Sequence, residues 1–252
     1  MSGVTRPLIV ANWKMNGLKT ALEEISTVSM AVREGAASEC DLVVCPPATL
    51  IAAAAQICAG SPVAIGGQSC HERPCGAHTG DISAEMLRDA GAAFVIVGHS
   101  ERRVDHGETD ATTRAKAEAA IRAGLVPIIC IGETRAQRDE GCALAVLDRQ
   151  VANSVPPRAD FAEVVVAYEP IWAIGAGATP TLREVTVAHA SIRAALSKIL
   201  PTQGPVARLL YGGSVTPSDA AGLAAVENVN GLLVGGASLI CSEFLAITTV
   251  YD

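Results

Sequence analysis

The chain has 252 residues, a formal net charge of −7 and a composition that is 50% hydrophobic but only 3% aromatic. The acidic balance, with no basic cluster, argues against nucleic acid or an anionic membrane as a partner. No apolar stretch approaches the roughly 18 residues of a membrane span. The core must therefore be built from Val, Ile, Leu and Ala, which suit the interior of a small parallel barrel.

The eight cysteines form no Cys-x-x-Cys pair, and the N-terminal segment does not have the design of a signal peptide. Cys45 and Cys130 stand in apolar strand-like runs, where a thiol behaves as a small hydrophobic group. We therefore predict reduced thiols, no disulfide framework and a cytoplasmic location.

Strand-like and helix-like segments alternate along the whole chain. The strand candidates are Leu8–Ala11, Leu42–Cys45, Val63–Ile65, Phe94–Val97, Val126–Ile131, Val164–Tyr168, Arg208–Tyr211 and Gly231–Val234. Apolar residues at helical spacing include Leu22, Ile25, Val28 and Val32, and also Leu144, Leu147 and Val151. Helix start signals stand at Thr20 and at Ser218-Asp219, and a last helical segment runs from Ser242 to Val250.

Eight such units of about 31 residues match the roughly 30 residues of a βαβ module. No linker or shift in composition divides them, so we predict an α/β fold in which residues 1–252 form a single catalytic domain, a closed (β/α)8 barrel. The alternative is an open, doubly wound sheet. It is less favoured because Leu8–Ala11 runs into Asn12-Trp13-Lys14 without the G-x-G-x-x-G pattern of dinucleotide-binding sheets.

The sixth strand candidate ends in a carboxylate, Glu169, and Pro170 prevents a simple continuation of the strand. An ordinary interpretation is a solvated strand end followed by a packed apolar loop. The functional interpretation is a general base followed by a lid that excludes water from it. The lid would consist of Pro170, Ile171, Trp172, Ala173, Ile174, Gly175, Ala176 and Gly177.

The other strands also end in residues that could take part in binding or catalysis. In a barrel all these strand ends meet at one rim. Gly212-Gly213-Ser214 and Gly235-Gly236 are ordinarily turn glycines, but amides at helix N-termini can also bind phosphate. We favour phosphate binding because barrels frequently place such a site after strands seven and eight. Lys14 is then a counter-charge for the phosphate and for a developing oxyanion, and Asn12 is a hydrogen-bond donor beside it.

A histidine, His99, stands where the fourth strand gives way to a predicted helical turn that begins Ser100-Glu101. A single histidine is more often structural. Here we expect the positive end of the helix to lower its pKa and keep the ring neutral, so that it can polarise a carbonyl and move a proton. Glu101, Arg102 and Arg103 fit ion-pair scaffolding better than chemistry.

The sequence contains no H-E-x-x-H, no H-x-H and no ligand cluster at zinc spacing, so we predict neither metal nor cofactor. Glu169 stands where a Schiff-base aldolase might present a lysine, and no Ser/His/Asp set or Walker loop is evident. A carboxylate, an imidazole, a lysine and a phosphate site suit removal of a proton α to a carbonyl in a small phosphorylated molecule.

Five motifs resemble the triosephosphate isomerase family, in order and from about residue 6 to about residue 250. They span residues 12–16, 97–103, 167–175, 211–215 and 234–239. The resemblance implies interconversion of dihydroxyacetone phosphate and glyceraldehyde 3-phosphate through an enediolate, in glycolysis and gluconeogenesis.

The resemblance also implies roles that are general knowledge of that family, in which a glutamate is the base and a neutral histidine the electrophile. Glu169 would move the proton, His99 would polarise the carbonyl, and Lys14 with Asn12 would stabilise the oxyanion. Phosphate would be held by the amides of Gly175, Ser214, Gly235 and Gly236. Glu101 matches a site glutamate whose role stays open.

The segment Gly76-Ala77-His78-Thr79-Gly80-Asp81 resembles the family's interdigitating third loop and implies a homodimer, with Thr79 near the Asn12–Lys14 region of the partner. Two departures stand out. Residues 175–180 lack the lysine common at the end of the lid, and His78 replaces a common aromatic ring.

Two alternatives remain at this stage. An isomerase of a four-carbon phosphosugar would use the same residues. A catalytically silent barrel that only binds a phosphorylated metabolite should have lost the base or the electrophile, yet Asn12, Lys14, His99 and Glu169 are all present.

Overall fold

Eight parallel strands close into a barrel in the computed structural model, which describes residues 6–174 and 179–252. The strands are β1 (Leu8–Asn12), β2 (Asp41–Cys45), β3 (Ala64–Gly67), β4 (Phe94–Val97), β5 (Val126–Ile131), β6 (Val165–Tyr168), β7 (Arg208–Tyr211) and β8 (Gly231–Val234). Each pairs with the next, and β1 also pairs with β8. This closure confirms the predicted barrel and excludes the open sheet.

Ten α-helices occur in the described part of the chain and surround the strands. They are α1 (Leu22–Arg33), α2 (Ile51–Ile57), α3 (Ala84–Asp89), α4 (Ser100–Asp105), α5 (Asp110–Arg122), α6 (Arg135–Asp139), α7 (Ala143–Ser154), α8 (Leu182–Ile199), α9 (Pro217–Ala224) and α10 (Cys241–Thr248). Short 3-10 helices lie at Lys19–Ala21, Ala48–Leu50, Pro157–Phe161, Ile171–Ala173, Gly236–Leu239 and Thr249–Tyr251. Within the described ranges, no helix is long and apolar enough to cross a membrane.

Several predicted boundaries differ from the structure by one or two residues, and two of these differences have a clear physical reason. The third strand was predicted to end at Ile65, but β3 continues through Gly66 and Gly67. An added Cβ at Gly66 would lie 2.6 Å from Cys45 Sγ, so here glycine permits close packing rather than ending the strand. The helix start signal at Thr20 also failed, because a 3-10 turn precedes α1 and the N-cap residue is Ala21.

The core has two layers, because each strand is buried on both faces. Residues that point into the barrel form the inner layer: Leu8, Val10, Val43, Cys45, Ile96, Ile128, Cys130, Val165, Ala167, Leu210 and Leu233. Alternate strand residues such as Ile9 and Ala11 pack against the helices. All eight cysteines lie in the described part of the chain and are free thiols, with only Cys75 and Cys142 exposed.

Candidate active site

The alternation of side chains along the strands aims two predicted residues into the barrel mouth. Val10 and Ala167 belong to the inner layer, and Asn12 and Glu169 each follow two residues later on the same face. Both are buried, and Glu169 is only 1% exposed. The tertiary structure therefore does not support the ordinary interpretation of Glu169 as a solvated strand end.

A cavity of about 680 Å³ opens at this rim. It is lined by these predicted residues: Asn12, Lys14, His99, Glu101, Glu169, Ile171, Ile174, Ser214, Gly235 and Gly236. Of the predicted lid, Trp172 and Ala173 are buried instead, while Gly175, Ala176 and Gly177 lie outside the described residues. The site therefore comes together from the ends of five strands.

The two oxygens of the Glu169 carboxylate differ in their hydrogen bonding. The Ser100 amide donates to Oε2 over 2.9 Å. Oε1 lies 2.8 Å from His99 Nε2, yet among the described residues it accepts no well-directed hydrogen bond. Oε1 is therefore the carboxylate oxygen that faces the imidazole at the cavity wall.

His99 is turned toward Glu169 by the residue before it. Gly98 has a φ of 66°, and this left-handed conformation breaks the strand alternation. His99 then forms the N-cap of α4, where the Glu101 amide donates to Nδ1 over 3.3 Å. Because Nδ1 is an acceptor, the proton of the neutral ring is on Nε2, which faces the cavity.

The predicted lowering of the His99 pKa was wrong for this structure. Burial lowers the pKa, but the carboxylates of Glu169 and Glu101 raise it, and the pKa is raised overall from its usual value. Two nearby negative charges thus outweigh burial and the end of a short helix.

Lys14 is fixed by its neighbours in a backbone conformation that a lysine rarely adopts, with a φ of 55°. Asn12 Oδ1 accepts from its amide over 3.1 Å, and Gln68 Nε2 donates to its carbonyl over 2.8 Å. Its ammonium group lies 2.6 Å from Glu101 Oε1. Sequence reasoning missed Gln68, whose only signal is its place directly after β3.

Of the two glycine pairs, the second lies beside this lysine, and only that pair stands at the start of a helical turn as expected. Gly235 precedes the 3-10 helix that begins at Gly236, and its added Cβ would be 3.7 Å from Lys14 Cε. In contrast, α9 begins only at Pro217, so Gly212 and Gly213 lie in the loop before it. Arg102 and Arg103 pair with Glu108 and Asp110, which confirms their scaffolding role.

The first part of the predicted lid is anchored outside the cavity, by contacts that sequence reasoning missed. Trp172 Nε1 and the Tyr168 hydroxyl both donate to Glu133 Oε1, over 2.7 and 3.1 Å. Arg138 contacts the same oxygen and also lies 4.7 Å from the Trp172 ring centroid. Part of the apolar loop is therefore packed, as in the ordinary interpretation.

Gly132 packs against the backbone of Glu169, and its replacement by Ala should lower both stability and turnover. An added Cβ would lie 1.7 Å from the Glu169 carbonyl oxygen, so the backbone at the base must move. We expect Gly132→Ala to lower the free energy of unfolding by about 3 kcal/mol or more and to reduce turnover. Denaturant unfolding and kcat measure the two effects.

Gly222→Ala is the matched control, because its added Cβ meets only ordinary contacts at 3.7 Å and alanine is favoured in a helix. Equal stability and turnover of the two variants would show that Gly132 does not constrain Glu169.

The fold and the site define a barrel enzyme that transfers protons on a small anionic substrate. Comparisons with known proteins specify the family. The family model described as triosephosphate isomerase matches residues 7–251. The chain is 59% identical over 247 residues to a triosephosphate isomerase of Afipia carboxidovorans and 56% identical over 247 residues to one of Bradyrhizobium diazoefficiens, with 98% of each chain covered.

A solved structure agrees with the sequence relatives. The crystal structure of triosephosphate isomerase from Bartonella henselae superposes with a TM-score of 0.91 at 44% identity, covering 98% of this chain and 99% of the other. The chain belongs to the triosephosphate isomerase family. It is an aldose–ketose isomerase whose substrates are the phosphorylated trioses dihydroxyacetone phosphate and D-glyceraldehyde 3-phosphate.

Proposed function

We propose that the described rim residues carry out this isomerisation through an enediolate, with Glu169 as the base that moves a proton between the two carbons. The observation that carries the assignment is the position of Glu169 Oε1, which is buried at the cavity wall and lies 2.8 Å from His99 Nε2. The Ser100 amide keeps Oε2 occupied and leaves Oε1 to take the proton.

His99 is the electrophile in this proposal. Its Nε2 proton faces the cavity because Nδ1 accepts from the Glu101 amide, so the ring can donate to the carbonyl oxygen and to the hydroxyl oxygens of the enediolate. Oε1 of Glu169 stands only 2.8 Å from Nε2, and substrate entry therefore requires the carboxylate to turn from the ring toward carbon. That movement removes a negative charge from His99, and burial then favours the neutral ring.

Lys14 and Asn12 stabilise the negative charge that develops on the substrate oxygen. Asn12 Oδ1 is occupied by the Lys14 amide, which leaves the Asn12 NH2 group as a donor toward the cavity. The Lys14 ammonium exchanges its contact with Glu101 for the substrate. Ser214, Gly235 and Gly236 line the part of the cavity where amides can hold the phosphate. The lid residues Gly175, Ala176 and Gly177 lie outside the described residues, so the phosphate contact of Gly175 remains a proposal.

A coupled assay tests the function and its alternative. With D-glyceraldehyde 3-phosphate as substrate, we expect kcat/KM in the range of about 10⁴–10⁸ M⁻¹s⁻¹ that enzymes show with their own substrates. A four-carbon aldose phosphate should be turned over far more slowly, and the relatives named above support the triose. Equal or better kcat/KM with the four-carbon compound would overturn the proposed specificity, and no turnover of either would support a silent barrel.

We further propose that the protein acts in glycolysis and gluconeogenesis in the cytoplasm. The whole chain would then form one catalytic domain. The number of unpaired cysteines supports this compartment.

The proposal also includes a homodimer, built by the third loop. Met15 is 97% exposed and Leu18 is 80% exposed beside Lys14, which is unusual for large apolar side chains that remain in water. A groove of about 280 Å³ lies between Met15 and the third loop. In a two-fold dimer, each Thr79 would enter the partner's groove near the Asn12–Lys14 segment, so that both exposed apolar residues are covered.

Deleting residues 76–80 should therefore give a monomer with poor activity, because Lys14 loses its support from the partner. Sedimentation velocity at micromolar concentration, combined with the coupled assay, measures both effects. An intact chain that sediments as a fully active monomer would contradict the dimer.

A further inference from the structure

A second cavity, of about 370 Å³, lies outside the barrel between α7 and α8 and is called the outer cavity below. Among the described residues it shares no lining residue with the catalytic cavity. Its floor is formed by Leu147, Tyr168 and Ala188, which are all buried. The Tyr168 ring points away from the barrel interior because the preceding residue, Ala167, faces inward. A cavity of this volume is in the range that small molecules occupy.

The walls of the outer cavity are apolar and open to water. Leu144 of α7 is 42% exposed and Val187 of α8 is 46% exposed, and both line the cavity. With the buried floor they form a continuous apolar surface between the two helices. Because each methylene group that leaves water on such a surface contributes to binding, an aliphatic ligand would be stabilised here.

The charged groups of the outer cavity favour an anion. Glu184 is the only carboxylate among the described residues that line it, and both of its oxygens are occupied. Arg138 donates to Oε1 over 2.5 Å, and the Thr181 amide and hydroxyl donate to Oε2 over 2.7 and 2.9 Å. Arg183, in contrast, makes no hydrogen bond or ion pair with any described residue. One guanidinium group at the cavity is therefore left without a counter-charge.

We propose that the outer cavity binds an aliphatic monocarboxylate of about six to eight carbons, with its chain on the apolar walls and its carboxylate on Arg183. A guanidinium group binds a carboxylate through two parallel hydrogen bonds, which orients the head group. A phosphate ester is disfavoured, because it would bring a second negative charge and further oxygens into an apolar cavity. The site is therefore distinct in chemistry from the phosphate site at the barrel rim.

A ligand in the outer cavity would contact two residues that hold Trp172 in place. The Tyr168 hydroxyl donates to the same oxygen of Glu133 as Trp172 Nε1 does. Arg138 contacts that oxygen over 3.2 Å and lies 4.7 Å from the Trp172 ring centroid. Both Tyr168 and Arg138 line the outer cavity. A bound carboxylate should thus stabilise the described position of Trp172, at the start of the proposed lid. This consequence rests on the proposed function, whereas binding of the carboxylate does not.

Equilibrium dialysis of the intact chain with radiolabelled octanoate tests the site, in excess inorganic phosphate so that the catalytic anion site is occupied. We expect one octanoate per chain with a Kd of about 1 mM or lower, a modest value for about ten non-hydrogen atoms. Hexanoate should bind roughly 15-fold more weakly, because each buried methylene group contributes roughly fourfold. Octylamine, which has the same chain and a positive charge, should not bind measurably.

Substitutions in α8 separate the charge from the apolar contact. Val187→Glu places a carboxylate four residues after Arg183, where it can pair with that guanidinium group and repel octanoate. Both this variant and Arg183→Gln should weaken binding by about tenfold or more, the typical effect of losing a hydrogen-bonded charge. Val187→Gln is the matched control for Val187→Glu and should weaken binding less. Arg149→Gln, which removes an exposed arginine of α7 outside the cavity, should bind as the parent does.

Binding that does not saturate by about 10 mM, equal binding of octylamine, or equal affinity in the parent, Arg183→Gln and Val187→Glu would overturn the site. An active enzyme that binds no octanoate would refute the site alone. Octanoate binding by a chain without isomerase activity would refute the proposed function alone.

The connection to Trp172 has its own measurement, made without inorganic phosphate. Octanoate should weaken binding of a phosphorylated transition-state analogue by about fivefold or more, and the analogue should weaken octanoate binding by the same factor. Independent binding of the two ligands would overturn the connection. A competition that persists in Arg183→Gln would place octanoate at Lys14 in the catalytic cavity and would also overturn it.

Discussion

Glu169→Gln is expected to lower kcat by about 10²–10⁴-fold, the typical contribution of a positioned general base. The amide has nearly the same shape and can still accept from the Ser100 amide, which holds Oε2 in the parent. It cannot take up a proton from carbon. Substrate binding should change little, because the phosphate site lies on other strands. Steady-state kinetics and binding of a phosphorylated transition-state analogue measure the two effects.

The matched control is Glu118→Gln, which makes the same change on the exposed surface of α5. It should have parental kinetics, and both variants should have the parental unfolding midpoint. A Glu169→Gln variant with near-parental turnover would remove Glu169 from the role of base.

Lys14→Met is expected to lower kcat/KM by about 10³-fold or more, because a single oxyanion donor is typically worth about 10²–10³ in kcat and the phosphate also loses a counter-charge. Methionine keeps a similar apolar stem. Its backbone must adopt the same left-handed φ of 55°, so the charge is the main change. Lys14 is the only lysine or arginine among the described residues that line the cavity.

Lys19→Met is the control, because Lys19 is exposed in the 3-10 turn of the same loop. It should leave kcat/KM unchanged. The competitive inhibition constant of inorganic phosphate should rise for Lys14→Met alone. Parental kcat and an unchanged phosphate constant would contradict the assigned role of Lys14.

Much of the site could be predicted from the sequence because most strand ends could be predicted from it. Short apolar runs located β4, β5, β7 and β8 to the residue. In a parallel barrel all strand ends share one rim, so the position of Asn12 and Glu169 at strand ends predicted their proximity. The assignment of roles to Glu169, His99 and Lys14 came from residue chemistry and from the family motifs.

Residues that act by supporting others were not predictable. Ser100, Gln68 and Glu133 each serve the site through one or two hydrogen bonds to a residue distant in the chain. Such bonds depend on which loops meet, and a polar residue in a loop has no pattern that marks its partner.

The sequence by itself determined the alternation of strands and helices, the closed barrel and the chemical groups at its rim, because side-chain hydrophobicity and its period act locally. Only the tertiary structure decided the electrostatic state of those groups. The left-handed Gly98 turns His99 toward Glu169, and the resulting 2.8 Å contact raises the pKa of the imidazole that the helix alone was expected to lower. Charge interactions depend on distances across the fold, and those distances exist only once the barrel has closed.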